Sequence, residues 1–330
     1  MNATPAAAPT WEPVPLGRTG LTLPPMGIGT WAWGDRFYWG FGRGYGEEDL
    51  RAAFEAALEG GIAFFDTAEV YGLGRSERFL AQFASRSEHP LARQLFIATK
   101  FFPYPWRWRQ AALLRALRKS LQRLQREAVD LYQIHWPWPP RPVEVWVTAL
   151  ARALQAGLAR AGGVSNYNLA QTRRAQAVLE HHGFPLASNQ VEFSLLRRDI
   201  EVNGLLEYAR EHGITILAYS PLAMGVLTGK YTPERPPRGP RGRRFPPAYL
   251  ERLRPLLRLM EEIGQGHGGK TPAQVALNWV MAKGAVPIPG AKNAAQVRSN
   301  LGALGWRLTP DEIAALDRAS EPLQLGGLFR

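Results

Sequence analysis

Eight short apolar runs recur along the chain, each followed by a segment with helical periodicity. This rhythm restricts the fold more than any other feature. The runs lie at 26–30 ("MGIGT"), 62–66 ("IAFFD"), 95–100 ("LFIATK"), 129–135 ("VDLYQIH"), 159–166 ("ARAGGVSN"), 185–190 ("PLASNQ"), 214–220 ("ITILAYS") and 285–290 ("AVPIPG"). Each is too short for a stable helix, and most are apolar throughout, as strands covered on both faces are. The intervening segments repeat apolar residues every three to four positions. "EEDLRAAFEAALEGG" aligns Leu50, Phe54, Ala57 and Leu58 on one face, opens on carboxylates and stops at a glycine pair. The helix after the third strand aligns Leu113, Leu114, Leu117, Leu121 and Leu124. "TPAQVALNWVMAKG" has Thr271 as cap, Pro272 in the first turn and Gly284 at its end. Further helices are expected from about Ser76, over "VEVWVTALARALQAG", through Leu179, and near 200–211 and 293–302.

Eight strands alternating with eight main helices predict a closed parallel (β/α)8 TIM barrel of the α/β class. A doubly wound open sheet is the competitor, and the strand count and even spacing favour the barrel. "VPLGRTGLTLPP" predicts a short hairpin ahead of it, and extra helices are expected near 248–264 and 310–318. No linker-like shift in composition interrupts the chain. Residues 1–12 are expected to be a flexible leader and 13–330 a single domain.

An apolar fraction of 45% over 330 residues supports a large core and argues against disorder. With no cysteine, thiolate catalysis, disulfides and cysteine-based metal sites are excluded, and no metal is expected. No apolar stretch reaches the length of a membrane span, and the first residues lack a signal peptide, so a cytoplasmic location is expected. Forty basic against 28 acidic residues leave a net charge of +12, which favours anionic ligands. The richest basic cluster, "RPPRGPRGRRFPP" at 235–247, is expected to be a loop.

Barrels carry their chemistry at the C-terminal ends of the strands. The second strand ends on Asp66, with Tyr71 in the loop beyond. The third ends on Lys100 and the fourth on His135. A carboxylate, a phenol, an ammonium and an imidazole on adjacent strands suit proton delivery to a carbonyl oxygen. In this reading Asp66 holds Lys100, Lys100 lowers the pKa of Tyr71, and His135 orients the substrate. Such a reduction needs a hydride, which implies a nicotinamide cofactor. Ser165, Asn166 and Gln190 end the fifth and sixth strands and suit a carboxamide. Tyr219 offers a ring for stacking. Gly290, Ala291 and Lys292 follow the eighth strand, where barrels often bind phosphate. "GFGRGYG" at 40–46 lacks dinucleotide-loop spacing and is expected to be a flexible loop. The strand-end loops carry Trp31, Trp33, Tyr38, Tyr104, Trp106, Trp136 and Trp138, an aromatic pocket for a planar or apolar carbonyl. The aromatic and basic run "PWRWR" also suits nucleic acid, but Trp106 and Trp108 flank a catalytic strand end, and that reading is set aside.

The segments "GTWAWG", "FDTAEVYG", "ATKF", "LYQIHW", "GVSNYN", "NQVEFSLL", "AYSPLAMGVLTGKY" and "IPGAKNAAQVRSNL", in this order, resemble the aldo-keto reductases. "GTWAWGDRFYWG" and "GALGWRLT" are similar to the branch containing plant pyridoxal reductases and bacterial relatives. The resemblance implies NADPH, and Asp66, Tyr71, Lys100 and His135 as a catalytic tetrad with Tyr71 as the acid. It implies cofactor contacts at Thr30, Trp31, Asp66, Ser165, Asn166, Gln190, Tyr219, Ser220, Leu222, Gly290, Ala291, Lys292, Gln296 and Asn300. Other members carry Arg where this chain has Gln296, which makes the preference over NADH less strict. The segment 235–247 falls where relatives have one that folds over the cofactor. The expected activity is reduction of aldehydes, pyridoxal among them, and of some ketones, with no membrane, nucleic-acid or obligate protein partner. The alternative is a cofactor-sensing or regulatory subunit with little turnover.

Overall fold

A computed structural model describes residues 11–138 and 141–326. A two-stranded antiparallel hairpin, β1 (Val14–Pro15) and β2 (Thr22–Leu23), precedes eight parallel strands. These are β3 (Ile28–Gly29), β4 (Phe64–Asp66), β5 (Phe96–Phe101), β6 (Val129–Ile134), β7 (Ala159–Ser165), β8 (Leu186–Glu192), β9 (Thr215–Tyr219) and β10 (Val286–Pro287). Every strand expected from the apolar runs is present, and each pairs with its neighbour in chain order. The first and last strands meet through a parallel bridge between Gly29 and Gly290, with Gly27 and Gly29 donating amides to Pro287 and Pro289 at 3.0 Å. Closure explains Gly29: a Cβ there would lie 2.7 Å from the Ile288 carbonyl.

Helices wrap the barrel: α1 (Glu47–Glu59), α2 (Arg75–Arg86), α3 (Ala111–Leu124), α4 (Val143–Gln155), α5 (Leu169–His181), α6 (Asp199–Val202), α7 (Leu205–His212), α8 (Pro240–Arg244), α9 (Pro247–Gly266), α10 (Pro272–Ala282), α11 (Ala294–Leu301) and α12 (Pro310–Ser320). Capping boxes start α5, α10 and α12 at Asn168, Thr271 and Thr309. The single helix expected near 200–211 is two, because Gly204 at φ 79° breaks the path between α6 and α7. The Arg/Pro segment is not a plain loop either. It contains α8, Phe245 is fully buried, and Arg244 pairs with Glu192 at 2.8 Å.

The main core lies between strands and helices. A second cluster fills the barrel with Phe64, Ala98, Leu131, Ala161, Ala187 and Leu217, joined by Leu16 and Leu23 of the hairpin. Gly17 donates its amide to Thr215 at the start of β9, so the hairpin plugs the N-terminal end of the barrel. The opposite end, where polar side chains replace apolar ones, is the mouth. Of the expected leader, residues 1–10 lie outside the described residues, and Trp11 packs against the core. No helix among the described residues is long and apolar enough to cross a membrane.

Candidate active site

Alternation along the strands builds the site. Residues two apart face the same side, so the positions after the barrel-filling Phe64, Ala98 and Leu131 are Asp66, Lys100 and Gln133, with His135 one step further. Their neighbours across β7 to β9 are Ser165, Gln190 and Tyr219. Lys100 is fully buried and Asp66 nearly so. The Lys100 ammonium donates to the Asp66 carboxylate, to the Thr67 carbonyl at 2.9 Å and to the Tyr71 hydroxyl at 3.4 Å. An ammonium has three hydrogens and no acceptor. All three are directed, so the Tyr71 oxygen accepts from Lys100 and its own proton is available elsewhere. The second Asp66 oxygen accepts from Gln190 at 2.8 Å and Gln133 at 3.3 Å. The buried carboxylate is thus paired and hydrogen-bonded, the condition for holding a charge out of water.

The loop after β4 aims the phenol. Gly72, at φ 55°, packs so close to Gly34 that a Cβ would lie 2.8 Å from backbone atoms. The His135 ring meets Tyr71 edge-on, with centroids 5.8 Å apart. Burial, then the charge of Lys100, pushes the His135 imidazole well below its ordinary value and keeps it neutral. Its Nδ1 is buried without a partner.

The expected lowering of Tyr71 by Lys100 does not hold. Burial, then Asp66 and then Tyr219, raise the phenol well above its ordinary value. Burial dominates, and because the ammonium lies closer to the carboxylate, the pair presents little net positive charge to offset it. Burial also lowers Lys100, against the opposing pull of Asp66. The site therefore rests with a protonated phenol and a neutral imidazole beside a buried ion pair.

Of the other expected site residues, Ser165 donates to the Gln190 carbonyl at 2.9 Å. Asn166 donates to the His135 carbonyl at 3.1 Å and accepts from the Tyr219 hydroxyl at 2.9 Å. Asn166 and Ser220 both hold positive φ, at 63° and 50°, and Ala223 and Met224 follow at 47° and 57°. Strained backbone in this density, at strand ends, accompanies functional sites. The Thr30 hydroxyl is turned to the Asp66 carbonyl at 2.9 Å, beneath the site. Leu222 is half-buried in the loop after β9. Ala291 is buried and accepts from Trp33, and Asn300 keeps a buried, unpartnered Nδ2.

Beyond β10, Lys292 donates to the Trp39 carbonyl at 3.1 Å and lies over the Trp39 and Tyr45 rings at 4.9 and 4.4 Å. Its amide is accepted by Gln296 at 2.8 Å. Arg241 lies over the same Trp39 ring at 5.3 Å. Burial, Arg241 and Lys230, opposed by Asp35, lower Lys292 to about 8. Three cations converge against one nearby carboxylate, so this end of the mouth fits an anionic group that would relieve their repulsion. Arg241 brings the expected Arg/Pro segment into that cluster.

The aromatic wall stands on two sides. Trp31 stacks on Tyr38 at 4.9 Å and lies 6.4 Å from Tyr71. Opposite, Phe102 meets His135, Trp138 and Tyr104 at 5.5, 5.0 and 4.6 Å, and Trp136 stacks on Trp138 at 5.5 Å. Trp33 is not a pocket residue. It is fully buried against Phe65 and Phe83, with its indole nitrogen bonded to Ala291. Trp106 stacks on Tyr104 but is 69% exposed and lines a separate outer cavity. Gln133 and Phe102 escaped the sequence reading. Gln133 was detectable, because it lies two residues before His135 on an alternating strand.

No group of three or more His, Asp or Glu among the described residues could hold a metal. The model for the aldo/keto reductase family matches residues 25–321, and the chain belongs to this family. It is 43% identical to the chloroplastic pyridoxal reductase of Arabidopsis thaliana over 321 residues, 94% of this chain and 86% of that protein. A solved thermostable aldo-keto reductase in complex with the inhibitor epalrestat superposes with a TM-score of 0.75 at 31% identity, over 93% of this chain and 99% of that one. The glycerol dehydrogenase of Gluconobacter oxydans superposes with 0.79 at 28% identity, over 94% and 96%. The chain is thus an oxidoreductase by family.

Proposed function

We propose that the protein is an NADPH-dependent reductase of aldehydes, pyridoxal among them, and of some ketones. The observation that carries this reading is the buried Asp66–Lys100 pair with the Tyr71 hydroxyl 3.4 Å from the ammonium. NADPH, when bound, supplies the hydride that reduces the carbonyl carbon. Tyr71 gives its proton to the carbonyl oxygen, since Lys100 already occupies the phenol as a donor. Lys100 faces the phenolate that proton loss leaves and stabilises it when it forms, so the charge acts in the transition state. Asp66 anchors that ammonium. His135, neutral, donates a hydrogen bond to the substrate oxygen and sets its position. Trp31, Tyr38, Phe102 and Trp136 exclude water and receive a planar substrate.

Lys292, Arg241 and Lys230 would hold the nucleotide phosphates, with Gln296 and Asn300 beside them. Ser165, Asn166 and Gln190 would meet the carboxamide, and Tyr219 the ring. Gln296 contributes no charge, so selection against NADH falls to Lys292. The likeness to a pyridoxal reductase supports pyridoxal as a substrate, and its flat ring suits the aromatic walls.

The test is loss of NADPH absorbance with pyridoxal, other aldehydes and ketones, repeated with NADH. Turnover of pyridoxal with a preference for NADPH is expected. Tight NADPH binding without turnover of any carbonyl would replace this reading with the sensor subunit.

A further inference from the structure

We infer that the outer face of α2 and α3 is a groove for single-stranded nucleic acid. In the sequence alone, the place of Trp106 and Trp108 beside the end of the third strand argues against this partner. Both rings line a cavity whose walls include none of Asp66, Tyr71, Lys100 and His135. Trp106 is 69% and Trp108 54% exposed, and both line a cavity of about 390 Å³ on the outside of the barrel. One face of each ring is occupied, Trp106 by Tyr104 at 4.5 Å and Trp108 by the Arg141 guanidinium at 5.0 Å. The rings are held in place from within and open outward. Exposed indoles so braced are stacking platforms for unpaired bases.

The cations are arranged to match. Arg109, Arg115 and Lys119 line the cavity beside the indoles. Lys119 also lines an adjoining hollow of about 700 Å³, with Arg78 and Arg86 on its walls. None of these five forms an ion pair among the described residues, whereas the neighbouring Arg107, Arg123 and Arg126 are paired with Glu69, Glu77 and Asp130. No carboxylate lines either hollow. The remaining walls of the second are neutral hydrogen-bonding groups, Gln82, Ser85, Gln122 and Gln125, beside the paired Arg123.

Extent and shape decide the occupant. The two hollows share Lys119 and run along α3, whose 14 residues span about 21 Å. One nucleotide is too short to reach from Trp108 to Arg86, while a strand of several nucleotides places bases on the indoles and phosphates along the cations. A duplex hides its bases from the rings. A lipid surface is flat and does not enter hollows.

The test uses the full chain and a fluorescein-labelled oligothymidylate of about 20 nucleotides, read by anisotropy. Saturable binding at about 50 mM salt is expected, weakening steeply by about 200 mM, with a log–log slope of about −0.7 per phosphate contact. Trp108→Ala is expected to weaken binding about tenfold. Arg115→Glu with Lys119→Glu is expected to weaken it more than about tenfold and make the slope shallower by about 1.4. Arg258→Glu with Arg307→Glu, the same change in net charge at exposed positions elsewhere, is expected to leave affinity within about twofold, and a duplex of equal length should bind more weakly. Absence of binding at the lower salt, equal loss in the two charge-reversed pairs, an unaffected Trp108→Ala variant, or equal affinity for duplex would each overturn the inference. Thermal melts of the variants separate lost contacts from lost fold.

Discussion

Replacing Lys100 by methionine tests how the site is held together. The side chain keeps nearly the same length, so the cavity stays filled, but the Asp66 carboxylate loses its ion-pair partner. Asp66 and Lys100 expose 3% and 0% of their side chains, so water does not compensate. What remains around the carboxylate is two amide donors, Gln190 at 2.8 Å and Gln133 at 3.3 Å. Breaking a buried pair from one side typically costs about 3–5 kcal/mol, since it leaves an uncompensated charge. Asp66→Asn removes that charge with little change of shape. The double variant Asp66→Asn/Lys100→Met should therefore regain at least about half of the stability that Lys100→Met loses. Urea unfolding followed by tryptophan fluorescence, with unchanged m-values, measures both. A Lys100→Met protein within about 1 kcal/mol of the parent, or a double variant less stable than the single, would refute the view that the ammonium's first role is to neutralise Asp66.

Other expected outcomes follow from the same geometry. Lys292 is lowered to about 8, so its charge is full below that pH and lost above it. NADPH affinity should fall as pH rises from about 7 to about 9, NADH affinity should change less, and Lys292→Gln should flatten the difference in fluorescence titrations. His135 is held neutral, with a folded pKa well below the ordinary value. Below pH ~6.5 the unfolded chain binds a proton that the folded one does not, so this group subtracts up to about 1.4 kcal/mol of stability per pH unit as pH falls, and His135→Gln should remove that share. Gly72→Ala places a Cβ 2.8 Å from Gly34 backbone at positive φ. It should displace Tyr71 and lower kcat by about tenfold or more, with NADPH affinity retained, as steady-state and binding measurements would show together.

The barrel was legible because its strands are apolar on both faces and its helices keep a clear period, and eight evenly spaced repeats favour closure over an open sheet. The meeting of Asp66, Tyr71, Lys100 and His135 was legible because three of them end neighbouring strands and Tyr71 lies in the loop after one of those strands. What escaped depends on contacts remote in sequence. Trp33 reads like Trp31 two residues earlier, yet the turn that follows β3 carries it to the helices, where Phe65 and Phe83 enclose it. The direction of the Tyr71 shift follows from burial and from Asp66 and Tyr219 nearby, which no local pattern reveals. Trp39 and Arg241 share a cation–π contact although about 200 residues separate them, and only the folded chain shows it. The exposure of Trp106 and Trp108, beside Tyr104 and Arg141, likewise shows only in the folded chain.

Tyr71 is proposed to deliver the proton while Lys100 and Asp66 prepare it. Single-turnover reduction of pyridoxal by the Tyr71→Phe variant, with NADPH affinity measured alongside, tests this most directly. The ring and its packing remain and only the hydroxyl is lost. The chemical step should slow by about 10²–10⁴-fold while the dissociation constant for NADPH stays within about twofold. A chemical step at the parent rate would show that the proton comes from another group.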